Sequence, residues 1–251
     1  MRTLVVIPAR LGATRLPRKP LRDLAGRPLI VRVLERVQAM ELGDACVVAT
    51  DDAAVRKAVA AAGAEVVMTS KTCDSGTDRV AEVARKPEFS DFDVFINVQG
   101  DEPFMSGEAV QAAKEMVTSR AFDVGTAAAR ARPWILTDPG IVKVVVGDDA
   151  RALYFSRAPV PYLRDRADED ALDGSILQHL GVYAYTRAAL LRWVALPAHP
   201  LEQIERLEQL RPLAAGITFG VAITDGPAYA GIDTEDDLAD ANARWAEISA
   251  R

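Results

Sequence analysis

Three groups of residues in this sequence have the types and spacing to do chemistry together. Residues 9 to 20, Ala-Arg-Leu-Gly-Ala-Thr-Arg-Leu-Pro-Arg-Lys-Pro, hold Arg10, Arg15, Arg18 and Lys19 with no acid among them. Arginine offers planar forks to phosphate oxygens and lysine a mobile point charge, so such a loop suits a polyphosphate. Gly12 gives it flexibility, and Pro17 and Pro20 stiffen its exit. Asp101, in Gly100-Asp101-Glu102-Pro103, follows an apolar run. There a carboxylate is placed to bind Mg²⁺, which prefers hard oxygen ligands and keeps waters and phosphates in its shell. Asp233 stands just before a helix, in Gly231-Ile232-Asp233-Thr234. Each group also has an ordinary structural reading: a solvated basic turn, a carboxylate satisfying loop amides, a piece of a helix cap. Together they are the parts of a metal-dependent phosphoryl or nucleotidyl transfer site, where cations neutralise charge developing on the transferring phosphorus and the leaving group.

Other chemistry is sparse. The two histidines, His179 and His199, lack metal-ligand spacing, and nothing suggests a Ser-His-Asp arrangement. His179 opens a strand that carries Tyr183 and Tyr185 on the same face, and it reads equally as a hydrogen-bonded structural imidazole or a sugar-binding group. Glu202, Glu205, Glu208 and Gln209 share one predicted helix; the acids read as a solvated face that Arg206 and Arg211 can pair, and Gln209 as a half-buried group beside the apolar stripe. Two cysteines, Cys46 and Cys73, give neither a disulfide framework nor a zinc site.

The elements that must position these residues can be read from periodicity. Thr3 to Pro8 is a short β-branched run that ends at proline, a buried first strand emptying into the basic loop. Leu29 to Val37 is an amphipathic helix, and strands are expected at 45–50, 65–68 and 93–98. Asp52 caps a helix that Gly63 stops, and Ser75 or Thr77 starts the next. Strands alternating with helices over residues 1 to 120 predict an α/β, doubly wound, mostly parallel sheet, in which ligands bind at the carboxyl ends of the strands. The dinucleotide-binding G-x-G-x-x-G is missing after the first strand. The second half is richer in strands, at 123–129, 141–146, 152–155, 180–185 and 217–223. It also carries a helix over 200–211 with Leu201, Ile204, Leu207 and Leu210 facing the core, and a last helix capped by Thr234 and Asp237. A smaller mixed lobe over roughly 125–215, within one domain spanning 1–251, is expected.

With 251 residues, 49% of them hydrophobic, the chain can bury a sizeable core. Its net charge of −6 disfavours a nucleic-acid binder, so an anion must be held by a local cluster. Neither a signal peptide nor a membrane span is evident, so the expectation is a cytoplasmic soluble protein.

The chain is similar to the nucleotide-sugar cytidylyltransferases in Pro8-Ala9-Arg10 and in Thr14-Arg15-Leu16-Pro17-Arg18-Lys19-Pro20-Leu21. The resemblance continues through Ser75-Gly76-Thr77-Asp78-Arg79, Asn97-Val98-Gln99-Gly100-Asp101-Glu102-Pro103, Tyr154-Phe155-Ser156-Arg157, Gln178-His179-Leu180-Gly181-Val182-Tyr183, Leu207-Glu208-Gln209-Leu210-Arg211 and Gly231-Ile232-Asp233-Thr234. In order and spacing it resembles the members that activate the eight-carbon sugar acid 3-deoxy-manno-octulosonate (KDO). The resemblance implies a Rossmann-like fold with a sugar-binding and dimerisation lobe. It implies the reaction CTP + KDO → CMP-KDO + diphosphate, with Mg²⁺, in a homodimer serving lipopolysaccharide synthesis. By position Arg10, Thr14, Arg15 and Lys19 match the triphosphate loop, and Ser75 and Gln99 the cytosine and ribose side. Asp101 matches a metal ligand shared by two ions and Asp233 the ligand of the second. Arg157, His179, Tyr185, Glu208 and Gln209 match the sugar-acid site. Ala13, where the family often has serine, Arg18 for a frequent glycine, and Leu11-Gly12 depart from the pattern and bear on nucleotide affinity. Sialic acid or 8-amino-KDO as the sugar acid, and nucleotide binding without catalysis, are the competing readings.

Overall fold

A computed structural model of the chain describes residues 1–12, 15–165, 172, 174–229 and 231–248. Thr14 and Ala13 therefore lie outside the described residues, as does most of the charged stretch 166–173. In chain order the strands are β1 (Thr3–Ala9), β2 (Asp23–Leu24), β3 (Arg27–Pro28), β4 (Ala45–Thr50), β5 (Val66–Met68), β6 (Val94–Asn97), β7 (Val124–Arg130), β8 (Lys143–Val146), β9 (Ala152–Ser156), β10 (Leu177–Thr186) and β11 (Phe219–Thr224). The α-helices are α1 (Leu29–Ala39), α2 (Ala53–Ala61), α3 (Gly76–Ala84), α4 (Gly107–Thr118), α5 (Arg187–Ala195), α6 (Pro200–Glu205), α7 (Leu210–Ala214) and α8 (Glu235–Ile248). They fall into two units, 1–107 with 229–251, and 108–228.

The first unit is built around β1, whose seven residues are all buried. Its parallel neighbours are β4 on one side, with Val6 opposite Val47, and β6 on the other, with Val5 opposite Ile96. The chain leaves β1 towards β4 and β5 and returns across it to β6, so the order reverses at β1. That reversal opens a crevice at the carboxyl ends of β1 and β6, the usual ligand position in such sheets. Local chemistry sets the helix starts. The Asp52 carboxylate accepts from the backbone N–H of Ala54 (2.7 Å) and Val55 (3.2 Å), and Ser75 and Asp78 form a reciprocal capping box. Gly63, at φ +79°, ends the turn after α2, a conformation that costs other residues free energy. The last helix returns to the same unit. Trp245 packs on Phe104 with ring centroids 5.6 Å apart, and Asn242 Oδ1 accepts from Ala25 N–H at 2.8 Å.

In the second unit β7 pairs antiparallel with β10 and parallel with β11, while β8 and β9 form a hairpin that touches β10 at Lys143 and Gln178. Its core is aromatic. Trp193 lies edge-on to Tyr183, Tyr185 and Phe219, with Phe155 against Phe219. Gly125 is dictated by contact: a Cβ there would lie 1.9 Å from the Ala113 carbonyl oxygen of α4. Two helices absent from the sequence reading, α4 and α5, belong to this half.

One predicted element is corrected. The helix expected over 200–211 breaks at Arg206, whose φ of 53° is left-handed, and restarts as α7. Leu207 and Leu210 are buried as expected, but Ile204 is 77% exposed because the break takes it off the apolar stripe. His199, expected in a loop, caps α6 through Nδ1, which accepts from Leu201 N–H at 3.2 Å.

Candidate active site

The basic loop folds back over the crevice because two of its apolar residues anchor it. Leu16 is fully buried and Pro20 is buried, and a 3-10 turn runs Lys19–Leu21. Between them Arg18 takes a left-handed conformation, φ 57° and ψ 29°, and stays exposed while Lys19 turns inward. The loop closes one side of a cavity of about 360 Å³ lined by Arg10, Arg15, Lys19, Ser75, Gly76, Arg79, Gln99, Gly100, Asp101 and Asp233. Every described residue assigned from the sequence to the nucleotide side is on that lining.

The centre of the cavity is a group of paired charges. Lys19 Nζ donates to Asp101 Oδ2 at 2.6 Å and to Asp233 Oδ1 at 2.7 Å, and only 12% of its side chain is exposed. Arg15 Nη2 donates to Asp233 Oδ2 at 2.8 Å from a largely exposed position. Burial alone would lower the Lys19 pKa, but the two aspartates outweigh it and hold the ammonium above its ordinary value. Next to them, burial and then the charges of Asp101 and Asp233 push Glu102 up to about 8.

Asp233 is available because another pair does the capping. Thr234 Oγ1 accepts from Asp237 N–H at 3.1 Å, and the Asp237 carboxylate accepts from the N–H groups of Thr234 (2.8 Å) and Asp233 (3.0 Å). Asp101 reaches the same point through one close backbone approach and one backbone hydrogen bond. A Cβ on Gly100 would lie 2.6 Å from the Pro8 carbonyl oxygen, and Gly231 sits against Asp101 and Glu102 while Ile232 N–H donates to Asp101 O at 2.9 Å.

The arrangement fits a hard divalent cation. Two carboxylates converge on one ammonium, so their oxygens lie within two hydrogen-bond lengths of each other. Among the described residues no group of three or more His, Cys, Asp or Glu gathers to cage a metal. Mg²⁺ takes one or two carboxylates and completes its shell with water and substrate phosphates, which is what Asp101 and Asp233 beside a polyphosphate cavity can offer.

Elsewhere on the lining, Arg10 Nη1 donates to the Asp74 carbonyl at 3.2 Å. The Ser75 hydroxyl serves the cap of α3, accepting from Asp78 N–H at 3.1 Å and donating to its carboxylate at 3.0 Å. Arg79 is a lining residue the sequence reading assigned no role. It is buried, lies 3.2 Å from Asp51 and bonds Thr69. Its signal was the helical spacing from Ser75, which places both at the cavity end of α3.

Arg157, His179, Tyr185, Glu208 and Gln209 belong to the second unit. Arg157 is locked to backbone: Nε donates to the Glu205 carbonyl and Nη1 to the Pro139 carbonyl, each at 2.8 Å. The Glu205 carboxylate in turn accepts from Arg157 N–H and from the Ser156 hydroxyl, each at 2.8 Å. Lys143, fully buried, donates to the carbonyls of Asp138 (3.0 Å), Ile141 (2.7 Å) and Arg157 (2.7 Å). Burial lowers its pKa. His179 Nε2 is 2.9 Å from Thr126 Oγ1, with Phe155 edge-on to its ring, and burial pushes the imidazole down to about 3. Tyr185 is fully buried and stacked on Tyr183, Gln209 is buried at the start of α7, and Glu208 is half-buried.

An α/β crevice with clustered cations and paired carboxylates defines a nucleotidyltransferase type of site. Comparison with known proteins narrows the class. A cytidylyltransferase family profile matches residues 4–219, and the chain belongs to this family. It is 59% identical over 248 residues, 98% of this chain and 95% of the relative, to the 3-deoxy-manno-octulosonate cytidylyltransferase of Gemmatimonas aurantiaca. It is 46% identical to the protein of that name from Rhodospirillum centenum, over 96% of this chain and 92% of the relative. Among solved structures it is similar to a CMP:2-keto-3-deoxy-manno-octonic acid synthetase complexed with CTP, with a TM-score of 0.90, 39% identity, and coverage of 98% of this chain and 99% of that one. A cytidylyltransferase from Leptospira borgpetersenii, 14% identical with a TM-score of 0.59 over 98% of this chain and 87% of that one, shares the fold. The α/β class expected from the sequence is borne out.

Proposed function

We propose that the chain activates KDO, converting CTP and KDO to CMP-KDO and diphosphate, in the supply of activated sugar for lipopolysaccharide. The observation that carries this reading is the Lys19–Asp101–Asp233 cluster at the carboxyl ends of β1 and β6, in a chain so similar to two proteins of that activity by name. Arg10, Arg15 and Lys19 receive the triphosphate, with Thr14 assigned beside them from the sequence alone. Charge complementarity favours this placement, since these cations and Arg79 border one cavity. Ser75 and Gln99, on the same lining, face the nucleoside. Asp101 and Asp233 would hold Mg²⁺, which when bound neutralises phosphate charge and lowers the pKa of a coordinated hydroxyl. Arg15 and Lys19 then stabilise the departing diphosphate.

On the acceptor side, Arg157 offers its guanidinium to the KDO carboxylate, held in place by the Glu205 and Pro139 carbonyls. His179, neutral at any working pH, meets sugar hydroxyls as donor or acceptor rather than as a cation, alongside Tyr185, Glu208 and Gln209. The protein works as a homodimer in the cytoplasm. Among the described residues no helix is long and apolar enough to cross a membrane.

The test is diphosphate release with CTP, KDO and Mg²⁺, each omitted in turn, with sialic acid and 8-amino-KDO run in parallel. Release that needs all three components and is much faster with KDO is expected. Release only with another sugar acid would overturn the sugar assignment, and CTP binding without release would overturn catalysis.

A further inference from the structure

The two carboxylates assigned to Mg²⁺ already have a cation. Lys19 Nζ sits 2.6 Å from one and 2.7 Å from the other, and Arg15 holds the second oxygen of Asp233. A divalent ion needs carboxylate oxygens at about 2.1 Å in near-octahedral geometry, which these oxygens cannot give while the ammonium occupies the space between them. Two like charges a few ångströms apart in a half-enclosed cavity also repel strongly. The carboxylate pair can therefore serve the ammonium or the metal, and one must yield.

We propose that Lys19 is an exchangeable stand-in cation: it closes the Asp101–Asp233 pair to divalent metal until a nucleoside triphosphate draws its ammonium away. The inference rests on the reading that this pair holds Mg²⁺. Lysine suits the role. It is a point charge on a flexible stem with no directional fork, so it can pass from carboxylate to phosphate without losing a partner. Its alternative partner has room to arrive, since Lys19, Arg15 and Arg10 line the same cavity. Arg10 differs in being bound to a carbonyl, that of Asp74, so its charge is not in the way of the metal. The consequence is a binding order. The metal site is made by nucleotide binding, and by thermodynamic reciprocity metal then tightens the nucleotide.

The test uses the full chain and Mn²⁺ alone as the probe, followed by electron paramagnetic resonance of free Mn²⁺ at fixed ionic strength without nucleotide. Lys19→Met is expected to bind Mn²⁺ at least about tenfold more tightly than the wild type, a loss of direct competition rather than of diffuse charge. Arg10→Met, which removes the same charge from the same cavity, is expected to change the affinity less than about threefold. Adding Asp101→Asn to Lys19→Met should abolish the gain. Lys19→Gln repeats the experiment should the methionine variant fold poorly. Equal or weaker Mn²⁺ binding by the Lys19 variants, or an equal gain from Arg10→Met, would overturn the exchange. If no protein binds Mn²⁺ even with CTP beyond what CTP binds alone, the metal reading itself fails, and the proposal with it.

Discussion

Each unit of the chain encloses a lysine, and the two lysines are held in opposite ways. Lys19 donates to two carboxylates, while Lys143 donates to three backbone carbonyls. The partners decide the electrostatics. Aspartates raise the Lys19 pKa against the pull of burial, whereas burial prevails at Lys143 and lowers it. They also decide the use. An ion cluster of side chains can exchange partners when a polyanion arrives, because each member can find an equal charge elsewhere. A lysine bound to carbonyls 138, 141 and 157 has nothing to exchange with; it fixes the backbone from which Arg157 projects. On the proposed function, one region is arranged for exchange of ionic partners, the other for rigid presentation of a guanidinium.

The largest effect on that contrast should come from Lys143→Met. It leaves the Ile141 and Arg157 carbonyls without their donor and the Asp138 carbonyl with Ile141 N–H alone, and should destabilise the protein by about 2–3 kcal/mol. The urea midpoint should fall and KM for the sugar acid rise, with CTP affinity unchanged; a loss of CTP affinity of the same size would erase the distinction between the regions. A smaller effect comes from His179. Its ordinary value is 6.5, and in the fold it sits near 3. Between these values the unfolded chain binds the extra proton, so stability is complete above about pH 6.5 and falls as pH drops. The loss is at most about 1.4 kcal/mol per pH unit, or about 2 kcal/mol between pH 6.5 and 5. His179→Gln should flatten that part of the stability curve measured by thermal melts, and an unchanged slope would assign it elsewhere. The smallest effect is Ser75→Ala. Losing the capping box should cost about 1 kcal/mol in stability and weaken CTP binding slightly, since α3 carries Gly76 and Arg79 to the cavity.

Much of the first unit was legible in the sequence because its signals are local. The β-branched run from Thr3 to Pro8, Asp52 two and three residues before the amides it caps, and the Thr234–Asp237 pair each work within a few residues. The cation–carboxylate cluster was legible only as parts. Lys19 meets partners 82 and 214 positions away, and the tight approach at Gly100 and the Ile232–Asp101 backbone bond that bring them there leave no periodic trace. In the second unit periodicity misled at Arg206. Four leucine and isoleucine positions at helical spacing fit one helix, but a left-handed turn at a non-glycine residue has no sequence signature, and Ile204 ended outside. Arg157 was found through resemblance. What holds it, Lys143 and the Glu205 carbonyl, is backbone hydrogen bonding that residue types do not announce.

The most direct measurement is kcat of Asp101→Asn with saturating CTP, KDO and Mg²⁺, paired with its melting temperature. The substitution keeps shape and size and removes the charge that Lys19 or a metal ion needs. A fall of at least about 10³-fold in kcat with a melting temperature near that of the wild type is the predicted result. A folded Asp101→Asn protein with near-normal kcat would contradict the placement of the chemistry at this cluster.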